Sequence, residues 1–257
     1  MGGAMQKTGL RRLIRRLLPK RVKPHRIIRG PLQGRYLVTS WHDYPAGIGG
    51  YTEAALLTWF QKNVKTGECW LDVGAHYGYT AIALSGLVGA TGSVWAFEPI
   101  PETAGHLGRT ARINGFDQLR VLPVALGDPE SLTLIRLATV RGMADSTLPA
   151  TDTPSTILVA RLDWLWSRLS DGSSRIQGIK IDVQGMELHV LRGMSNILRS
   201  HKPVLVVELH AGVDREEVLV VLRAAGYSNP GEPIEPLPGE RTPCYADDHS
   251  YVFWPES

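Results

Sequence analysis

Residues 70–80 read W-L-D-V-G-A-H-Y-G-Y-T, so an acid, two glycines and a hydroxyl side chain follow an apolar run. A strand ending there delivers Asp72 to its carboxyl end, and Gly74 and Gly78 make the turn into a helix. Small residues let a ligand lie against the backbone, and the free N–H groups and positive helix end suit a carboxylate. Downstream, A-F-E-P places Glu98 at the end of the next strand, where a carboxylate can accept both hydroxyls of a ribose. A dinucleotide site needs G-x-G-x-x-G, whereas Gly74 and Gly78 enclose Ala75-His76-Tyr77 and follow an acid. That spacing fits S-adenosylmethionine (SAM), which has no pyrophosphate to cradle. The bland alternative is a strand–turn–helix with incidental glycines, and the acid on the second strand argues against it.

Two further blocks carry titratable groups. K-I-D-V-Q-G-M-E (180–187) ends a later strand, so Asp182 should emerge beside Gly74 near the reactive end of the cofactor. In V-V-E-L-H (206–210), Glu208 and His210 alternate to the same side of a strand end. Methyl transfer is an in-line displacement at a sulfonium-activated carbon. The enzyme mainly positions the partners and removes a proton from the acceptor. His210 is the candidate base because imidazole titrates near neutrality, with Asp182 or Glu208 orienting it or binding substrate hydroxyls. A lone histidine is more often structural, and that reading stands beside the catalytic one. The same three groups could ligate a divalent cation such as magnesium; this is the less favoured use, and no dedicated metal set is expected.

Strands and helices must alternate to place these groups. Helices are expected over 52–63, 80–87, 102–114, 162–169, 186–199 and 215–225. Strands are expected over 69–73, 93–97, 120–125, 178–182, 204–208 and 251–254. Residues 131–138 alternate like a strand outside the core sheet, and 141–156 read as a Gly/Ser/Thr/Pro-rich surface loop. The fold class is α/β: a doubly wound parallel sheet covered on both faces, with ligands at the carboxyl ends of its strands.

At 257 residues and 43% hydrophobic, the chain suits one large catalytic domain, set at 46–257 after a basic leader at 1–45. The first 42 residues hold 11 of the 28 Lys and Arg and no acid, leaving 17 bases against 25 acids in the remainder. Leu10, Leu13, Ile14, Leu17 and Leu18 oppose Arg11, Arg12, Arg15 and Arg16, an amphipathic helix stopped by Pro19. It suits contact with an anionic membrane surface, or packing on the domain; a phosphate-rich partner is a third option. No apolar run approaches the roughly 20 residues of a membrane span. Cys69 and Cys244 have no metal-ligand spacing, so a reducing cytoplasmic setting is expected, with peripheral membrane contact through the leader allowed.

With these blocks assembled, residues 50–254 resemble the FkbM family of class I SAM-dependent methyltransferases. The resemblance rests on G-G-Y-T-E (49–53), the glycine turn, A-F-E-P, V-L-P-V-A-L-G-D (121–128), R-L-D-W-L (161–165), the 180–187 and 206–210 blocks and H-S-Y-V-F-W-P (249–255). It implies a Rossmann-like seven-stranded sheet with an antiparallel last strand. It further implies cofactor contacts from Asp72, Gly74, Ala75, His76, Gly78, Thr80, Glu98 and Pro99. Ala125 to Asp128 would lie near the adenine, and Glu53 over the methionine end. The chain departs from the family pattern at Gln184, where Glu is common, and at His76, where Asn is frequent. Family members mostly methylate hydroxyls of sugars, glycolipids or natural products, so O-methylation of such a small molecule is implied. A nucleic-acid methyltransferase usually carries D/N-P-P-Y/F after the fourth strand; Asp182-Val183-Gln184-Gly185 is unlike it, and no nucleic-acid partner is expected. A retired interaction module would have little reason to keep Asp72, Glu98, Asp182 and His210.

Overall fold

The computed structural model describes residues 17–144, 155–170, 174–210, 212–228, 230–238 and 249–256. Residues 1–16, which carry most of the expected leader helix, the loop stretch 145–154 and Cys244 fall outside them.

In chain order, a hairpin of β1 (Lys23–Arg26) and β2 (Tyr36–Thr39) precedes α1 (Pro45–Gly49) and α2 (Ala54–Asn63). There follow β3 (Cys69–Val73), α3 (Tyr79–Val88), β4 (Ser93–Phe97), α4 (Pro101–Ile113) and β5 (Leu119–Leu122). An excursion comprises β6 (Ala125–Leu126), β7 (Thr133–Leu137), β8 (Thr139–Val140), β9 (Met143–Ala144) and β10 (Ser155–Ala160). After it come α5 (Leu162–Leu169), β11 (Gly178–Ile181), α6 (Glu187–Arg192), α7 (Ser195–His201) and β12 (Val204–Leu209). The last described elements are α8 (Arg215–Ala224), β13 (Glu232–Pro233) and β14 (His249–Phe253).

The main sheet has seven strands in the order β13-β14-β12-β11-β3-β4-β5. β12, β11, β3, β4 and β5 run parallel, while β14 is antiparallel to both of its neighbours. Every residue of β3 and β11 is buried, as in strands covered on both faces, including Asp72 of β3 and Lys180 of β11. The chain leaves β3 toward β4 and later returns to β11 on β3's other edge. That reversal opens the crevice at the carboxyl ends of β3 and β11.

Three expectations need correction. The strand expected over 120–125 splits at Pro123, which cannot donate to a ladder. β5 stays in the main sheet, whereas β6 pairs with β10 in a separate sheet ordered β6-β10-β7. β10 itself begins inside the stretch expected to be loop. The helix expected over 186–199 is two helices, interrupted at Gly193. A Cβ there would sit 1.7 Å from the carbonyl oxygen of Gly127, so that backbone contact fixes the break. Asp163 then caps the second helix from α5, accepting the N–H groups of Asn196 (3.1 Å) and Ile197 (3.0 Å).

The hairpin extends the packed body upstream of residue 46, where the sequence suggested a boundary. Ile27 and Leu37 are buried in the core, and Val38 N–H donates to Thr110 Oγ1 of α4 at 2.9 Å. Cys69 is a buried free thiol, in line with a packing role. Among the described residues, no helix is long and apolar enough to cross a membrane.

Candidate active site

The turn after β3 is shaped by what presses on it. Gly74 has φ +83°, and a Cβ there would meet the carbonyl oxygen of Asp182 at 1.8 Å, so β3 and β11 touch backbone to backbone. Gly78 has φ +92° and lies against Leu107 of α4. The expectation of free N–H groups along this turn is overturned at three residues. Gly74 and Ala75 N–H both donate to Phe97 O, at 2.9 and 3.1 Å, and His76 N–H donates to Glu98 Oε2 at 2.9 Å. The other oxygen of Glu98 accepts from Ile100 N–H at 3.0 Å. Burial pushes the Glu98 carboxyl up to about 7, against the pull of these two N–H groups.

Over the turn lies a cavity of about 320 Å³, within the range of roughly 300–1,000 Å³ usual for small-molecule sites. Of the expected cofactor residues, Glu53, Gly74, Ala75, His76, Thr80, Glu98, Pro99 and Ala125 line it. Asp72 lies beneath, fully buried, accepting from Thr80 Oγ1 at 2.7 Å, and so supports the wall instead of forming it. Gly78 likewise shapes the turn from behind. Asp128 does not belong to the site: its carboxylate lies 2.7 Å from His189 Nδ1 and its carbonyl accepts from Arg161. The turn at Pro123 that diverts β6 to the second sheet carries Asp128 away with it.

Tyr44, Pro45, Ala46, Ile135, Leu137, Arg141 and Met143 also line the cavity, from segments that carry no site motif in the sequence. Lys180 was overlooked although it stands in the 180–187 block. It is buried, with Nζ 3.0 Å from Asp182 Oδ2 and 3.6 Å from Asp72 Oδ1. Burial disfavours its charge, but the two carboxylates outweigh that and raise its pKa.

The carboxylates Asp182 and Glu208 line the cavity with the Gln184 amide beside them, and His210 lies against all three. His210 Nε2 lies 2.6 Å from Gln184 Nε2, 3.5 Å from Asp182 Oδ1 and 3.8 Å from Glu208 Oε1. Its Nδ1 lies 2.5 Å from Oε1 of the wholly buried Glu187, a residue the sequence reading quoted but did not single out. Burial works against the imidazolium, but Glu187, Asp182 and Glu208 together push His210 up to about 9. Burial, with Asp182 and Glu53 nearby, raises Glu208 well above the usual carboxylate range. Ligand atoms of Asp182, Glu208 and His210 all lie within 4.8 Å of one another, close enough to hold a cation, although the Lys180 ammonium already sits on Asp182.

Backbone strain marks the same place. Among the described residues, five non-glycine residues have positive φ, and four of them (Glu53, His76, Arg141 and Gln184) line this one cavity. Such conformations cost of order 1–3 kcal/mol each and gather at functional sites.

A parallel sheet in this order with an antiparallel edge hairpin, a glycine turn after its central strand and an acid ending the next defines the class I SAM-dependent methyltransferase fold. The chain belongs to the FkbM methyltransferase family, its residues 72–228 matching the methyltransferase FkbM domain. It is similar to the hexuronic acid methyltransferase AglP of Haloferax volcanii, 34% identical over 159 residues. That alignment covers 61% of this chain and 62% of that protein, less than two thirds of the relative's length. Among solved structures, an FkbM methyltransferase from Methylobacillus flagellatus superposes with a TM-score of 0.52 at 16% identity, over 83% of this chain and 54% of that one. Fibrillarin of Aeropyrum pernix, solved with natively bound SAM, gives 0.50 at 17% identity, over 92% and 87%. At these identities the two structures establish the shared fold alone.

Proposed function

We propose that the protein is a cytoplasmic enzyme that transfers the methyl group of SAM to a hydroxyl of a sugar, glycolipid or natural-product small molecule. The observation that carries the reading is Glu98. Its carboxylate is anchored by two backbone N–H groups at one end of a cavity whose other end is walled by Asp182 and Glu208. SAM supplies an electrophilic methyl group on a sulfonium. The backbone contact of Gly74 with Asp182 leaves the turn no room for a side chain, Glu98 accepts the ribose hydroxyls, and Ala125 and Pro99 border the base. The ordering of the site along the sheet sets the reacting end beside Asp182.

Asp182, and Glu208 whether protonated or not, can hydrogen-bond sugar hydroxyls, and Lys180 is already engaged by two carboxylates. A hydroxyl must lose a proton as its oxygen attacks, and His210 is the group assigned to take it. No step is assigned to a divalent cation, because Lys180 supplies positive charge at Asp182. The deciding measurement is calorimetry with SAM, followed by release of demethylated cofactor on adding neutral glycosides; no uptake of SAM would refute the reading.

The hexuronic acid named for the relative from Haloferax volcanii supports a sugar-like acceptor. Peripheral contact with an anionic membrane fits the same reading. Lys20, Arg21, Lys23, Arg26, Arg29 and Arg35 run from the basic leader through the described hairpin, with Leu17 exposed before it and Ile28 exposed within it. Sedimentation with phosphatidylserine vesicles checks it, and equal recovery with neutral vesicles would rule it out.

A further inference from the structure

We propose that Glu187 is a positioning residue for proton removal: its carboxylate holds the His210 ring with hydrogen on Nδ1 and with Nε2 facing the acceptor. This rests on the reading of His210 as the base. Glu187 opens α6 and points back into the protein, where its side chain is wholly buried. Oε1 accepts from His210 Nδ1 at 2.5 Å and from Gly185 N–H at 3.2 Å. Oε2 is buried with no hydrogen-bond partner among the described residues, so the imidazole carries most of the burden of satisfying this charge. A buried carboxylate with one strong donor fixes which ring nitrogen carries hydrogen.

The opposite nitrogen is aimed at the cavity. Around Nε2 stand Gln184, Asp182 and Glu208, all three of which line it. With hydrogen on Nδ1, Nε2 accepts from the Gln184 amide at 2.6 Å. The acceptor hydroxyl then has to take the place of that amide. As its oxygen forms the new bond to the methyl carbon, the carbon–sulfur bond breaks, the electron pair stays on sulfur, and the hydroxyl proton passes to Nε2. The charges facing the ring are Glu187 from α6, Asp182 from the end of β11 and Glu208 from β12, with Lys180 on Asp182 opposing them. Together they favour the imidazolium that this step creates, and they hold the free ring up to about 9.

A carboxylate that merely tied down the Gly185 turn would leave the titration of His210 untouched, which gives the test. Nitrogen-15 spectra of the histidine-labelled full chain, assigned with His210→Gln, read both tautomer and pKa. The wild type should show Nδ1–H in the neutral ring. Glu187→Gln should bring the His210 titration down by about one to three pH units, move the pH profile of kcat the same way, and leave SAM affinity within about twofold. A hydrogen on Nε2 in the neutral wild-type ring, or a titration unmoved in Glu187→Gln, overturns the proposal. The wild-type spectrum decides alone if the variant does not fold. Absence of SAM binding by calorimetry would instead sink the functional reading beneath it.

Discussion

Replacing Glu98 by Gln exchanges one oxygen for an NH2 group, and the surroundings make that small change costly. In the protein, Oε2 accepts from His76 N–H at 2.9 Å and Oε1 from Ile100 N–H at 3.0 Å, so both oxygens are already bonded to backbone. A glutamine satisfies one N–H and faces the other with a donor. A ribose diol also loses one of its two acceptors, and the remaining hydrogen bond loses its charge. Hydrogen bonds to charged groups contribute roughly 1.5–3 kcal/mol, against about 0.5–1.5 for neutral ones. Losing the charge on one bond (about 1–1.5 kcal/mol) or one charged bond outright (up to about 3 kcal/mol) corresponds to SAM binding weakened roughly 5- to 150-fold. Glu98→Ala should fall in the same range. Calorimetry at pH 8, above the value near 7 to which burial raises this carboxyl, ensures that the wild-type group is ionised. Binding to Glu98→Gln within twofold of the wild type, with the fold intact by circular dichroism, would show that the ribose lies elsewhere.

His210→Ala should lower kcat by roughly 10²- to 10⁴-fold while SAM affinity stays near wild type, and a fully active variant would remove His210 from the proton path. Because the unprotonated ring is the active form and its pKa is raised to about 9, wild-type turnover should climb with pH up to that region. A rate already flat from pH 7 would contradict it. Lys180→Met keeps the length of the side chain but leaves Asp72 and Asp182 without their buried cation. A loss of about 3–5 kcal/mol in urea unfolding is expected, and a loss under about 1 kcal/mol would mean that the ammonium is not what holds the two carboxylates.

The parts of this protein that can be read along the chain are those whose determinants are local. β3 and β4 were legible to the residue, because a strand buried on both faces must be a short apolar run and each ends at a turn signal. The helix Leu162–Leu169 was legible from its amphipathic spacing. The break at Gly193 was not, since it depends on the carbonyl of Gly127, which only the folded chain brings there. Asp128 was misplaced for the same reason: the stretch 121–128 looks continuous, but Pro123 hands its second half to another sheet. Carboxylates at strand ends could be forecast by alternation, whereas Glu187 enters from a helix start, and nothing in the G-x-E spacing indicates that its side chain turns inward to an imidazole. Tyr44 and Arg141 reach the cavity from segments remote from the glycine turn, and they carry no motif at all.

The two departures from the family pattern, His76 and Gln184, have one feature in common: both sit at positive φ on the cavity wall. Asn and His both adopt that backbone conformation more readily than most residues, so what the departure at position 76 changes is the reach of the side chain. Its Nε2 lies 3.1 Å from the carbonyl oxygen of Arg141, and its ring packs 5.0 Å from Tyr44 and 4.3 Å from Tyr77. Burial lowers its pKa to about 4, so it is neutral and adds no charge beside the cofactor turn. The backbone N–H of the same residue binds Glu98. One residue therefore serves both sides: its main chain anchors the Glu98 carboxylate, and its side chain ties that turn to the β8–β9 ribbon and to Tyr44 on the cavity wall. Asn at this position could keep the first contact, but it has no ring to reproduce the edge-on and tilted aromatic contacts of the second. The histidine thus keeps the backbone contact to Glu98 and adds ring contacts to Tyr44 and Tyr77 on the cavity wall.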